Sequence, residues 1–411
     1  MVFGLALILL ELAEGWQTSA TRQLTQPQEI VLRQTLKLKE DIESLSFSPD
    51  GRLVAVALLG RENVVQLYDS ETLQLKYSFK RAAGKVVFCS DSKLIAAPMG
   101  GGKIGIWEVD TGRLKTTLKD QPGSPSDLEF NSTCTRMVAS GGGSSLIYDG
   151  KARLWSVESG DLIKTIEHKG FLFLGASVKT SFSPDGKTFM TSGDEDGTPK
   201  IWDSETGVLK ATLEGHKANV YQHSFSPNGQ IAATASFDAT IKLWDAHSGS
   251  LKESLGSCYA YDFAFSPDGQ SLATACSDGN ARLWSVIDFK LINTLNSTLS
   301  SRAITADFSP NGQTLAVYHS DHKCELWDTA TGRLIGVLPV NDGFKVTFSP
   351  NSSLIMGMSN KREIKVWRAR SGDLIGTLRT AKWPAIWSRD GKTVMSKGPD
   401  DTVQVWDLSG S

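Results

Sequence analysis

From residue 30 onward, apolar residues fall in short strand-length runs, with Gly, Pro, Asp, Asn and Ser collected between them. The stretch LATACSDGNARLW, residues 272–284, shows the unit: two alternating segments flank Asp278-Gly279, a pair suited to the positive φ of a tight hairpin. Upstream, FSPDG at Phe265 joins another two segments, since proline presets φ and Asp-Gly or Asn-Gly closes the turn. The pattern predicts an all-β chain built from successive antiparallel hairpins.

The hairpins recur. Each unit ends in an aromatic residue preceded by an aliphatic one: Tyr68, Trp107, Trp155, Trp202, Trp244, Trp284, Trp327, Trp367 and Trp406, at spacings of 39, 48, 47, 42, 40, 43, 40 and 39 residues. The upstream turn recurs at Phe47, Phe182, Phe225, Phe265, Phe308, Phe348 and Trp387, and is degraded at Phe88 (FCSDS) and Phe130 (FNSTC). An aspartate six residues before the aromatic, as at Asp149, Asp196, Asp238, Asp278, Asp321 and Asp400, can fix the hairpin turn by accepting backbone N–H groups. A period near forty with four short strands inside it is the mark of propeller blades.

These residues resemble the WD-repeat β-propeller family over nearly the whole chain. The resemblance implies blades made of three strands from one repeat plus the outer strand that follows in sequence. It also implies a hydrogen-bonded tetrad of a loop His, the turn Asp, a Ser or Thr, and the Trp. The complete set here is His216, Asp238, Thr234 or Ser236, and Trp244; His168 with Asp196, Ser192 and Trp202 is a second, stretched by five extra residues. A net hydrogen bond contributes about 1 kcal/mol while truncating a buried tryptophan costs about 3 to 5, so packing can hold blades without the histidine.

The last repeat stops at VWDLSGS with no outer strand of its own, and an open edge there would invite aggregation. EIVLRQTLKL, residues 29–38, looks like the outer strands elsewhere and is expected to pair with the final blade. The expected fold is therefore a single propeller of nine four-stranded antiparallel blades over residues 29–411, closed by an N-terminal strand, with eight blades as the alternative. Residues 1–28 form a separate N-terminal segment. Its apolar run at 2–10 and Thr18-Ser19-Ala20 fit a signal peptide, but a basic leader is missing and Glu11 and Glu14 interrupt it. Export and a cytoplasmic location both stay open.

A net charge of -2 disfavours general nucleic-acid binding, and no later stretch could insert in a membrane. Five cysteines, none closer than eighteen residues to the next, fit neither a redox CxxC nor a zinc knuckle. GKT at Gly186 and Gly391 lacks the earlier glycine of a phosphate loop, and the Gly-rich run at 141–145 reads as a long hairpin loop. Acidic pairs such as Asp400-Asp401 occupy turns. HSDHKC, with His319, Asp321, His322 and Cys324, gathers ligand types, but alternation along a strand sends them to opposite faces. Sequons begin at Asn131, Asn296 and Asn351. No catalytic, cofactor or metal residues are assigned.

The resemblance implies a platform for protein or peptide partners on the face where loops enter the innermost strands. Two positions per repeat approach the opening there: four residues before the turn aromatic, and immediately before the turn aspartate. The first is small or polar in repeats one to three and bulky from Tyr221 on, through Tyr261, Ile304, Phe344 and Trp383. With Phe237, Tyr259 and Arg302 from the neighbouring loops these suggest an aromatic partner-binding sector, against the alternative that innermost-strand aromatics are core. A monomeric scaffold is the expected function; the alternative is a propeller that binds a small ligand in its channel or serves an enzyme.

Overall fold

The computed structural model describes residues 30–408 and 410, apart from 62, 83, 122–124, 126, 142–149, 169–177, 194–196, 257, 341–345 and 360–362. Among these residues nine four-stranded sheets follow one another, eight of them ordered innermost to outermost along the sequence. Blade 5, for example, runs Val220–Phe225, Ile231–Ser236, Ile241–Asp245 and Leu251–Leu255. The ninth takes Lys382–Trp387, Thr393–Lys397 and Thr402–Asp407 from the C-terminus and its outer strand, Val31–Lys37, from the N-terminus. Nine blades and the strand closure are as the sequence predicts. Residues 1–28, Asp149, Asp196, Phe344 and the run after Gly141 lie outside the described residues.

The core is divided among the blade interfaces. Trp244 packs with Met190, Ile201 and Leu213 of blade 4, and Trp284 with Ile231, Ala233 and Leu243 of blade 5. Trp107, Trp155, Trp202, Trp327, Trp367 and Trp406 likewise face residues of the blade before them. The indole is thus the wedge between successive sheets. In blades 5, 6 and 7 the pairing of third and outer strands shifts at this residue, a bulge that turns the outer strand as it leaves the tryptophan.

The recurring turn is also an interface. Its serine closes the hairpin: in blade 5 the Ser226 hydroxyl donates to Asn228 and accepts the Ile231 N–H. Its proline and glycine act between blades. A Cβ on Gly229, whose φ is +70°, would stand 3.6 Å from Pro184 Cδ, and Gly269 and Gly312 meet Pro227 and Pro267 at 3.5 Å. The two degraded turns lack this proline-on-glycine contact, and Cys89 and Cys134 link them in a disulfide with Cα atoms 5.8 Å apart. What reads as decay in the sequence is a covalent link between the same two turns, made from the serine place of one and the glycine place of the next.

Candidate functional site

The face that carries the loops into the innermost strands is organised differently in three successive blades. In blade 5 the tetrad is complete. Trp244 Nε1–H donates to Thr234 Oγ1 (2.8 Å), His216 Nε2 lies 2.7 Å from that oxygen, and His216 Nδ1 lies 2.9 Å from Asp238 Oδ2. Thr234, not Ser236, completes the chain. Burial works against the Asp238 charge, but hydrogen bonds from Thr240, the Lys217 N–H and His216 outweigh it and hold the carboxyl at about 2. Burial keeps the His216 imidazole below its ordinary value despite Asp238. A neutral ring with its proton on Nδ1 satisfies every partner.

Blade 4 corrects one expectation. His168 Nε2 and Trp202 Nε1 both meet Thr191 Oγ1, at 2.8 and 2.9 Å, while Ser192 turns to the buried His223 Nδ1 at 2.8 Å. The hydroxyl stands eleven residues before the tryptophan instead of ten because the intervening turn is one residue longer. In blades 6 and 9, Trp284 and Trp406 donate to Thr274 and Ser396 without any histidine.

His223 supplies a test of this buried polar layer. Burial pushes its pKa down to about 3, so the native imidazole stays neutral where the unfolded one takes a proton. Its contribution is present above pH 6.5 and is lost as pH falls from there toward 3. Urea unfolding of wild type and His223→Gln should show the stability gap between them shrinking by about 1 kcal/mol from pH 6.5 to pH 5.5. A gap independent of pH would contradict the assignment.

Five of the proposed partner residues come together above blades 5 to 7. Tyr221 and Phe237 have ring centroids 5.0 Å apart, Tyr259 and Tyr261 5.2 Å, and Arg302 Nη1 donates to the Tyr261 hydroxyl at 3.2 Å. The Tyr221 hydroxyl donates to the Ala260 carbonyl and so ties the two aromatic pairs together. Phe237 is 57% exposed, Arg302 is exposed, and the tyrosines are half-buried. Trp383 lies two blades beyond Arg302 and packs against the core between blades 8 and 9.

The other candidates disperse. His319 Nε2 lies 3.2 Å from Glu325 Oε2, Asp321 pairs with Lys323, His322 Nδ1 meets the Tyr318 hydroxyl, and Cys324 is buried. Asn131, which opens a sequon, is buried with its amide bonded inside its own turn. Cys89, Asp91 and Cys134 bring donor atoms together, but both sulfurs are joined to each other. Sequence reasoning missed the disulfides. The signal was positional: Cys89 and Cys134 occupy the serine and glycine places of adjacent turns, which lie against each other around the ring.

On the innermost strands, burial raises Glu129 to about 7, while Asp307, solvent-accessible on its strand, is raised to about 6 by partial desolvation and the neighbouring Asp262 charge. Each of these carboxylates accepts a backbone N–H: Glu129 from Phe182, Asp262 from Ala306, Asp307 from Phe308. Among the described residues no helix is long and apolar enough to cross a membrane.

Fold and loop face together define a nine-bladed propeller of hairpin-and-tryptophan repeats. The chain belongs to the WD-repeat β-propeller family: the family model described as IFT122 first beta-propeller matches residues 176–411, and that described as WD domain, G-beta repeat matches residues 31–69. It is 26% identical to Autophagy-related protein 16 of Arabidopsis thaliana over 44% of this chain and 34% of that one. It is 27% identical to Transcriptional corepressor LEUNIG_HOMOLOG of the same plant over 47% and 23%, and 34% identical to Coronin-7 of Bos taurus over 37% and 17%. The matched region spans about a third or less of each of these relatives. The C-terminal WD40 domain of Sif2 shares the fold with a TM-score of 0.60 at 16% identity, covering 94% of this chain and all of that one.

Proposed function

We propose that this protein is a non-catalytic interaction scaffold that binds protein or peptide segments on its loop face, at the sector of Tyr221, Phe237, Tyr259, Tyr261 and Arg302. The observation that carries the reading is Phe237. A phenyl ring 57% exposed at a turn tip, packed at a tilt against one tyrosine and continuous with two more beside an arginine, has the composition of an interface hot spot. Two of the innermost-strand carboxylates support the reading indirectly, because Glu129 and Asp262 each accept a backbone N–H from the next blade's innermost strand.

Immobilised wild type, Phe237→Ala and Arg302→Ala, exposed to lysate of the source organism and compared by quantitative mass spectrometry, test it. Each substitution should weaken capture of the retained protein by about 2 kcal/mol, near thirtyfold. Both side chains are exposed, so stability should stay within about 0.5 kcal/mol of wild type. Undiminished capture by both variants would overturn the proposal.

A further inference from the structure

The loop that carries Tyr259 and leads into the strand of Tyr261 is fastened differently from its neighbours. In blade 5 the Ser236 hydroxyl, at the end of the second strand, donates to the Ala218 carbonyl in the entering loop at 2.9 Å. In blade 7 the same two places hold His319 and Ser301, with the ring Nδ1 3.5 Å from the carbonyl oxygen. In blade 6 they hold Cys276 and Cys258, joined in a disulfide with Cα atoms 5.7 Å apart, well inside the ordinary range. The flanking loops have additional anchors. His216 and the Lys217 N–H bind Asp238 in blade 5, and Glu325 accepts the Thr298 N–H and hydroxyl in blade 7. The corresponding turn acid of blade 6, Asp278, faces Arg282 of its own hairpin instead.

We propose that Cys258–Cys276 is a redox latch on the loop face. Closed, it fixes the loop at Tyr259, where the chain enters the strand that bears Tyr261. Opened, it leaves the described part of that loop held by the Ser277 N–H bond to the Tyr259 carbonyl, the Tyr221 hydroxyl bond to the Ala260 carbonyl and contacts of Tyr259 and Tyr261. Cys276 is fully buried and Cys258 partly exposed, so an incoming thiolate reaches the bond from the Cys258 side. A dithiol reductant breaks the S–S bond in two exchanges. The first makes a mixed disulfide with one protein sulfur, and the second releases it; the protein gains two electrons and two protons while the dithiol becomes a cyclic disulfide. The bond between Cys89 and Cys134 lies in the turns at the opposite ends of the strands and joins two blades, so its reduction leaves this loop alone.

The consequence for binding rests on the docking reading given above, whereas the latch itself does not. The full chain, purified without reductant, is alkylated and digested before and after dithiothreitol, and amide exchange is followed over residues 258–263. A Cys89→Ser/Cys134→Ser background isolates the second bond. The expected result is Cys258 and Cys276 protected until reduction, and exchange at 258–263 rising about tenfold on reduction and reversing with oxidised glutathione. Capture of the proteins that depend on Phe237 should fall by roughly tenfold in step, as for a site whose competent state becomes a minor one. Alkylation of both cysteines without reductant, or exchange indifferent to it, overturns the latch. Capture that needs Phe237 but ignores reduction removes the redox control and leaves the docking surface standing. Loop exchange that responds to reduction, with no capture dependent on Phe237, removes the docking surface and leaves the latch. Because the Cys258–Cys276 bond is opened chemically, no variant of either latch cysteine has to fold.

Discussion

Deleting residues 30–37 is expected to lower the melting temperature by roughly 5 °C or more and to make the protein associate as its concentration rises. The strand Val31–Lys37 pairs with Thr402–Asp407 over six residue pairs, from Val31 opposite Asp407 to Lys37 opposite Thr402. Ile30 is buried in the core between blades 8 and 9, and Leu36 packs into that between blades 9 and 1. Their loss equals two large-to-small core changes of about 2 to 5 kcal/mol each. It also turns the third strand of blade 9 into an open edge, with Trp406 and Val405 uncovered along it. Scanning calorimetry and sedimentation at two concentrations check both parts. An unchanged melting temperature would mean that the ring closes by some other contact.

Trp244→Ala should cost about 3 to 5 kcal/mol, measured by chemical unfolding. The indole is 1% exposed and fills the space between blades 4 and 5 against Met190, Leu213 and Phe225. Trp244→Phe restores most of that volume but removes the N–H donated to Thr234, and should cost about 1 to 2 kcal/mol, the hydrogen bond plus imperfect fill. The ratio decides between two roles. Equal losses in both variants would make the tetrad, and not packing, the main support of this blade.

The repeat was legible because its chemistry is local. Ser226, Asn228 and Gly229 make a turn within five residues, and the tryptophan follows at a fixed strand length, so counting along the chain located every blade. The closing strand was legible too, since its pattern matched outer strands that otherwise had no repeat to belong to. Counting failed where a turn changed length. Thr191 stands in for the expected Ser192 because one extra residue between strands breaks a rule based on spacing from Trp202.

The aromatic sector was half legible. Position in the repeat placed Tyr221, Phe237, Tyr259, Tyr261 and Arg302 toward one face, and the coordinates bring them into contact. The same rule pointed to Trp383, which stands two blades away, half-buried against the core between blades 8 and 9 as Tyr221 is against that between blades 5 and 6, and strand position alone does not say which of these touch.

By itself, then, the sequence determined the hairpin unit, the number of its copies and the way the ends meet, because hydrophobic alternation and turn chemistry act over a few residues. Only the tertiary structure decided which cysteines join, which hydroxyl completes each tryptophan network and which aromatics touch. The disulfides join residues eighteen and forty-five positions apart, the tryptophan networks join different strands, and the geometry of all these contacts exists only once the sheets are packed around the ring.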